Sequence, residues 1–241
     1  MSFTPDDMKK LQDFLNQNDE ASALFQKLLE AHKFELHKIC HEIRNPLTLV
    51  SSTLQLIETQ HPETKSFAHW NTLCEDLSYI ESLLAELSQY NNSSAMTMER
   101  FSFRSFMERL VLSFAASTEN TAIEFTSRLG DLPEITGDQT KLRQAFLNLL
   151  RNAEQSIEGP GSIFLSADAK DGGIVVEIRD TGCGMNSEVL ETAFTPFVTY
   201  KSGGTGLGLP VVQNIITAHH GRLSVESAVG SGTVFFIFLP I

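Results

Sequence analysis

The stretch FELHKICHEIRNPLTLVSSTLQLIE, residues 34–58, decides how the first part of this chain folds. Its apolar side chains stand at Leu36, Cys40, Ile43, Leu47, Val50, Leu54 and Ile57, in steps of 4, 3, 4, 3, 4 and 3. That is a heptad seam rather than a loose amphipathic face. His61-Pro62 breaks the helix. A second run follows at Trp70, Leu73, Leu77, Ile80, Leu84 and Leu87, in steps of 3, 4, 3, 4 and 3. Asn91-Asn92-Ser93-Ser94 ends it with turn chemistry. The spacing predicts an antiparallel helical hairpin, which cannot bury a seam on both helices by itself. Dimerising two hairpins into a four-helix bundle would bury it. The competing expectation is a monomeric hairpin packed on the second half of the chain.

Off the seam, His37, His41, Arg44, Asn45 and Thr48 form a polar stripe, so His41 is expected to face solvent. Most surface histidines are inert, and His32, His37, His61, His69, His219 and His220 are read that way. His41 differs by its neighbours. Glu42 can orient or deprotonate an imidazole, and Asn45, one turn on, can hold a water or an incoming group beside it. Pro46 removes a backbone N–H inside the helix and is expected to kink it there.

Bulk composition narrows the function classes. The 241 residues suffice for two domains, and 41% hydrophobic with 20% charged residues fit a globular protein. A formal charge of −12 argues against nonspecific nucleic-acid binding, which needs a basic footprint. No run of about 18 apolar residues exists to span a bilayer, and the polar start lacks a signal-peptide core. Cys40, Cys74 and Cys183 show no C-x-x-C spacing, so neither a disulfide framework nor a zinc site is indicated. A cytoplasmic location is expected.

From about Glu99 the pattern changes to α/β. Phe101-Ser102-Phe103 and Ile123-Glu124-Phe125-Thr126 read as short strands around a helix over 104–118. A helix is expected from Gln139 to about Ile157, with Asn148 and Asn152 four apart on one face. An amide oxygen there can complete the hydration-rich octahedron of Mg²⁺. Two strands over 162–168 and 174–179 lead to Asp180-Thr181-Gly182-Cys183-Gly184, where a carboxylate at a strand end can accept from an exocyclic amine. Gly182 and Gly184 permit the tight turn. Lys201-Ser202-Gly203-Gly204-Thr205-Gly206-Leu207-Gly208 then opens a helix, and such glycines let backbone amides approach phosphates. Lys201 is either a point charge for those phosphates or a mobile surface residue. The segment is neither a Walker A loop nor a Rossmann turn. Strands over 222–228 and 233–239 close the chain as a hairpin.

Taken together these motifs resemble the core of a two-component sensor histidine kinase, over about residues 34 to 241. His41 to Pro46 resembles the H box, Asn148 to Asn152 the N box, and Asp180 to Gly184 the G1 box. Phe194-Thr195-Pro196-Phe197 resembles the F box and Gly204 to Gly208 the G2 box. The resemblance implies a dimerisation and phosphotransfer domain over 34–95, after a short polar helical lead-in over 1–33. A catalytic ATP-binding domain over 96–241 follows, a two-layer α/β sandwich of the gyrase (Bergerat) type. It further implies that His41 attacks the γ-phosphate of ATP and that the phosphoryl group passes to an aspartate of a response-regulator receiver domain. Glu42 then resembles the general base, Asn45 the residue positioning water for phosphatase action, Asn152 the Mg²⁺ ligand and Asp180 the adenine-binding aspartate. Residues from about Met185 to Thr205 resemble a mobile ATP lid.

Gyrase-type relatives place a glutamate base where this chain has Asn148. An amide cannot deprotonate water, so slow hydrolysis of bound ATP is expected. Tyr200 departs from the threonine commoner at its lid position. Residues 1–33 are too short for a typical sensor domain, so three expectations stay open: a separate sensor protein, a transmitter core without its own sensor, or an excised fragment. The rival function is a histidine phosphotransferase or regulatory scaffold without kinase activity, disfavoured because the glycine boxes and Asn152 are retained. A serine kinase on the same ATP fold would need no H box.

Overall fold

The computed structural model describes Phe14 and residues 18–91, 96–119, 121–201 and 204–241. The expectations for 1–13 and 15–17, for the turn residues Asn92, Ser93 and Ser94, and for Ser202 and Gly203 lie outside the described residues. The chain divides into two compact units, 1–92 and 93–241.

In the first unit, helix α1 runs over Asp19–Gln60, 42 residues. Asn18 caps its start, its side chain accepting from the Ala21 N–H at 3.1 Å. From Asp19 onwards the lead-in is the beginning of α1. Pro46 lies inside the helix, which continues through it. The helix ends at His61, and a 3₁₀ turn over Pro62–Ser66 carries the chain round to α2, Trp70–Asn91. Lys65 and Glu58 pair at 2.7 Å across this turn.

The hairpin uses only half of its seam. Cys40, Leu77 and Leu84 are at most 8% exposed, whereas Ile43, Val50, Leu73 and Ile80 are each more than 40% exposed. The two sets interleave along the same helices, so one heptad position closes the hairpin and the other remains uncovered within the chain. Arg44 ties the helices together at the level of His41, its Nη2 donating to the Leu84 carbonyl at 3.4 Å.

The second unit comprises β1 (Glu99–Ser102), α3 (Phe103–Thr118), β2 (Ile123–Leu129), β3 (Glu134–Gly137), α4 (Gln139–Ser156), β4 (Gly161–Lys170), β5 (Gly173–Asp180), α5 (Ser187–Thr192), α6 (Gly208–Ala218), β6 (Arg222–Ala228) and β7 (Gly232–Pro240). The main sheet has the order β2-β4-β5-β7-β6; β2 pairs parallel with β4 and every other pairing is antiparallel. β1 and β3 form a small antiparallel sheet of their own. Phe103 belongs to α3 rather than to a strand, because the Ser102 side chain caps that helix by accepting from the Ser105 N–H.

Alternation explains the layers. Ile163, Leu165 and Ala167 on β4, Ile174, Val176 and Ile178 on β5, and Ile237 and Leu239 on β7 are all but inaccessible to solvent. The opposing layer supplies Phe103, Phe106, Leu142, Phe146 and Leu149, with Phe103 and Phe106 rings 5.5 Å apart. Each such side chain contributes about 1.5–3 kcal/mol on burial. The register places Asp180 opposite Ile163 of β4 and Thr233 of β7, at the end of a central strand.

Candidate functional site

Helix α4 sets out the site. Asp138 caps it, Oδ1 accepting from the Lys141 N–H at 3.0 Å and Oδ2 from the Thr97 N–H at 2.8 Å. Asp138 N–H in turn donates to His219 Nε2 at 2.9 Å, while His219 Nδ1 lies 2.8 Å from the Ile215 carbonyl. Only the neutral ring with its proton on Nδ1 satisfies both contacts. Burial pushes its pKa down, against the Ile215 hydrogen bond and the Asp138 charge. His219 thus clasps the start of α4 to the end of α6.

Asn148, Asn152 and Ser156 recur at intervals of four along α4. Asn148 Nδ2 donates to the Gly208 carbonyl at 3.4 Å, tying α4 to the first residue of α6. A carboxylate at position 148 would instead face that carbonyl oxygen.

Asp180 is 4% exposed, and its hydrogen bonds with the described residues all fall on one oxygen. Its Oδ1 accepts from the Gly182 N–H at 2.8 Å, the Ser156 hydroxyl at 3.1 Å and the Thr233 N–H at 3.2 Å. None of the described residues donates to Oδ2. Burial raises its pKa, and the Gly182, Ser156 and Thr233 donors and the Lys201 charge pull it back down. The following loop is laced to its surroundings: Cys183 N–H donates to the Ser156 carbonyl at 2.9 Å and Gly230 N–H to the Cys183 carbonyl at 2.8 Å. Gly184 has φ +67°, and a Cβ there would strike the Ala228 carbonyl oxygen, so only glycine fits.

Lys201 reaches the same helix one turn earlier than Asp180 does. Its Nζ lies 3.4 Å from Asn152 Oδ1, 3.5 Å from the Asn152 carbonyl and 3.3 Å from Gln155 Oε1. The residue as a whole is exposed, but desolvation of its ammonium lowers its pKa, opposed by Cys183 and Asp180. Between Asp180 and α6, α5 is capped by Asn186, and Tyr200 Oη lies 3.2 Å from Thr192 Oγ1 at the end of α5. Tyr200 therefore has a partner that a threonine is too short to reach. Gly206 has φ +71°, its carbonyl accepting from the Phe197 N–H at 3.2 Å, and Leu207 N–H donates to Thr205 Oγ1 at 3.2 Å. Among the described residues no group of three or more His, Cys, Asp or Glu could cage a metal ion.

On the hairpin, His41, Glu42 and Asn45 are all exposed on α1. Glu42 lies 3.8 Å from Lys38, one turn back.

Residues 137–241 match the family described as histidine kinase-, DNA gyrase B- and HSP90-like ATPases. Over 205 residues the chain is 33% identical to sporulation kinase C of Bacillus subtilis, covering 84% of this chain and 47% of that protein. The chain is a histidine kinase homologue. It is likewise 30% identical to the signal transduction histidine-protein kinase AtoS of Escherichia coli, over 84% of this chain and 34% of that one. Full-length ShkA in complex with AMPPNP superposes with a TM-score of 0.74 at 26% identity, covering 86% of this chain and 45% of that one. This histidine kinase homologue spans less than half the length of each of these relatives.

In the histidine kinase homologue, Asn148, Asn152, Asp180, Gly182, Gly184, Lys201, Gly204, Thr205, Gly206, Leu207 and Gly208 all belong to the second unit, and His41, Glu42 and Asn45 to the first. The contacts above draw Asn148 to Gly208, Lys201 to Asn152, and Gly182 to Asp180. Sequence reasoning missed Ser156, Gln155, Thr233 and His219. Ser156 was within reach of it, one further step of four beyond Asn148 and Asn152. No helix among the described residues is long and apolar enough to cross a membrane.

Proposed function

We propose that this chain is an ATP-dependent protein histidine kinase that phosphorylates itself on His41. The observation that carries the reading is the pairing, in one chain, of a matched ATPase fold with an exposed imidazole followed directly by a carboxylate, Glu42, on a seamed helix. Asp180 Oδ2 takes the exocyclic amine of adenine, and the N-terminal turn of α6 meets the phosphates. Asn152 Oδ1 suits Mg²⁺, since the Lys201 ammonium already stands against that oxygen as a cation. Mg²⁺, when bound, would neutralise charge developing on the phosphate oxygens.

A ring nitrogen of His41 forms the new bond to the γ-phosphorus as the bond to the β,γ-bridging oxygen breaks and ADP leaves. Glu42 accepts the imidazole proton. Asn148 in place of a carboxylate offers no base for water, which spares the γ-phosphate for His41. The phosphoryl group then passes to a receiver-domain aspartate of a response regulator, and Asn45 positions the water that later hydrolyses that aspartyl phosphate.

Residues 34–95 form the dimerisation and phosphotransfer domain of this reading, and 96–241 the catalytic domain. The uncovered half of the seam, Ile43, Val50, Leu73 and Ile80, supports a homodimer whose hairpins make a four-helix bundle. Incubation with γ-labelled ATP and Mg²⁺ tests the reading. Acid-labile, base-stable label that is absent from His41→Gln supports it, and label surviving that substitution contradicts it.

A further inference from the structure

We propose that Ser156 is a positioning residue that sets the preference of the pocket for a 6-amino over a 6-oxo purine. The inference rests on the reading of Asp180 as the residue that meets the base. Ser156 Oγ lies 3.1 Å from Asp180 Oδ1 and 2.7 Å from the Ala153 carbonyl oxygen. A hydroxyl has one proton and so satisfies one of these two acceptors at a time. If it points at Ala153, two oxygen lone pairs face each other across the contact with an ionised Asp180. If it points at Asp180, it joins the Gly182 and Thr233 N–H groups as a third donor to Oδ1, and a charge-assisted bond is the stronger choice.

Three donors on one oxygen fix the plane of the carboxylate and concentrate its ionised form. They leave Oδ2 as a pure acceptor aimed away from the protein contacts. An acceptor bonds an exocyclic amine and repels a carbonyl oxygen, which is the difference between adenine and hypoxanthine at the same ring position. The other charged and titratable groups coupled to this carboxylate are the Lys201 ammonium directly and, through Lys201, the Cys183 thiol. Neither of them makes a hydrogen bond to Asp180.

The backbone around Ser156 is shaped to keep the hydroxyl in place. A Cβ on Gly182 would fall on Ser156 Oγ, so the glycine of the strand-end turn is the space that the hydroxyl occupies. The Ser156 carbonyl meanwhile holds the Cys183 N–H. Serine at this position therefore fastens the turn through its backbone and orients the carboxylate through its side chain. Only the second role is removed by truncation to alanine.

Binding of ATP and of inosine triphosphate to the full chain, each with Mg²⁺, separates the two roles. In Ser156→Ala, ATP affinity is expected to fall about tenfold while inosine triphosphate affinity holds, so the ratio collapses. Ser156→Thr, which keeps the hydroxyl, is expected to restore the ratio. An unchanged ratio in Ser156→Ala that melts like wild type would overturn the proposal while leaving the ATP pocket standing. A wild-type chain that binds neither nucleotide would overturn the pocket reading and this inference together.

Discussion

The Lys201 ammonium lies 3.4 Å from Asn152 Oδ1, the oxygen assigned above to Mg²⁺, and 3.3 Å from Gln155 Oε1. A side chain of the segment between α5 and α6 thus stands against the α4 oxygen proposed to hold the cation. If Asn152 Oδ1 holds Mg²⁺ as proposed, repulsion between the two cations favours displacement of Lys201 by Mg²⁺·nucleotide. In Lys201→Met the Mg²⁺ concentration for half-maximal ADP binding is expected to fall about threefold, the scale of one partly exposed hydrogen bond. Titration of a fluorescent ADP analogue against Mg²⁺ measures it, and an unchanged or raised requirement would count against the competition.

Asp180 should cost stability in order to serve binding. Burial raises its folded pKa, so the group stabilises the fold most below about pH 3.8, and that contribution is lost as pH rises through the folded value. At neutral pH the neutral Asp180→Asn variant removes this cost and can still accept the Gly182, Ser156 and Thr233 donors on its amide oxygen. Its ligand-free Tm is expected to rise by about 1–4 °C, while nucleotide affinity drops because an NH₂ now faces the adenine amine. Differential scanning fluorimetry with and without ATP reads both effects.

The clasp made by His219 should give an acid limb to the stability of the second unit. Its folded pKa is lowered by burial from the ordinary 6.5. Below about pH 6.5 the unfolded chain binds the proton and the folded chain does not, so stability falls with pH until the lowered folded value is passed. His219→Gln is expected to be less stable at pH 8 by about 1–3 kcal/mol, from the buried Asp138 N–H left without its partner. It should also lose much less on going from pH 7.5 to 5.5. Urea melts at the two pH values check the sign.

The interleaved seam gives a test of assembly. Val50 and Ile80 are 47% and 41% exposed, and Val50 lies more than one helical turn beyond Asn45. Val50→Glu with Ile80→Glu is expected to convert a dimer to a monomer while the second unit still binds nucleotide. Sedimentation analysis of the pair of proteins decides it.

Much of this was legible in the chain itself, and the failures have physical causes. Steps of three and four showed the hairpin because both helices keep one apolar stripe over their whole seam. Alternation showed β4, β5 and the β6–β7 pair because each buries one face. The helical lead-in was legible, but that it runs unbroken from Asp19 into the seamed helix was hidden because its first turns carry no seam, with Leu24, Leu28 and Phe34 left exposed. β3 was hidden because Glu134–Gly137 is too short to display a period, and its pairing with β1 is a contact across more than thirty residues. Ser156 and Thr233 reach Asp180, and Asp138 reaches His219, across long stretches of sequence, so no local pattern pairs them. Asn148 and Asn152 were visible by spacing, but the Gly208 carbonyl and the Lys201 ammonium that occupy their amides were not.

The most direct test of the central claim is covalent labelling of three proteins side by side: the wild-type chain, His41→Gln and Asp180→Asn, each incubated with γ-labelled ATP and Mg²⁺. Acid-labile label on the wild-type chain alone, mapped to the peptide bearing His41, is the expected result. Label that persists in His41→Gln, or that proves acid-stable and sits on a hydroxyl, would contradict a kinase acting on its own histidine.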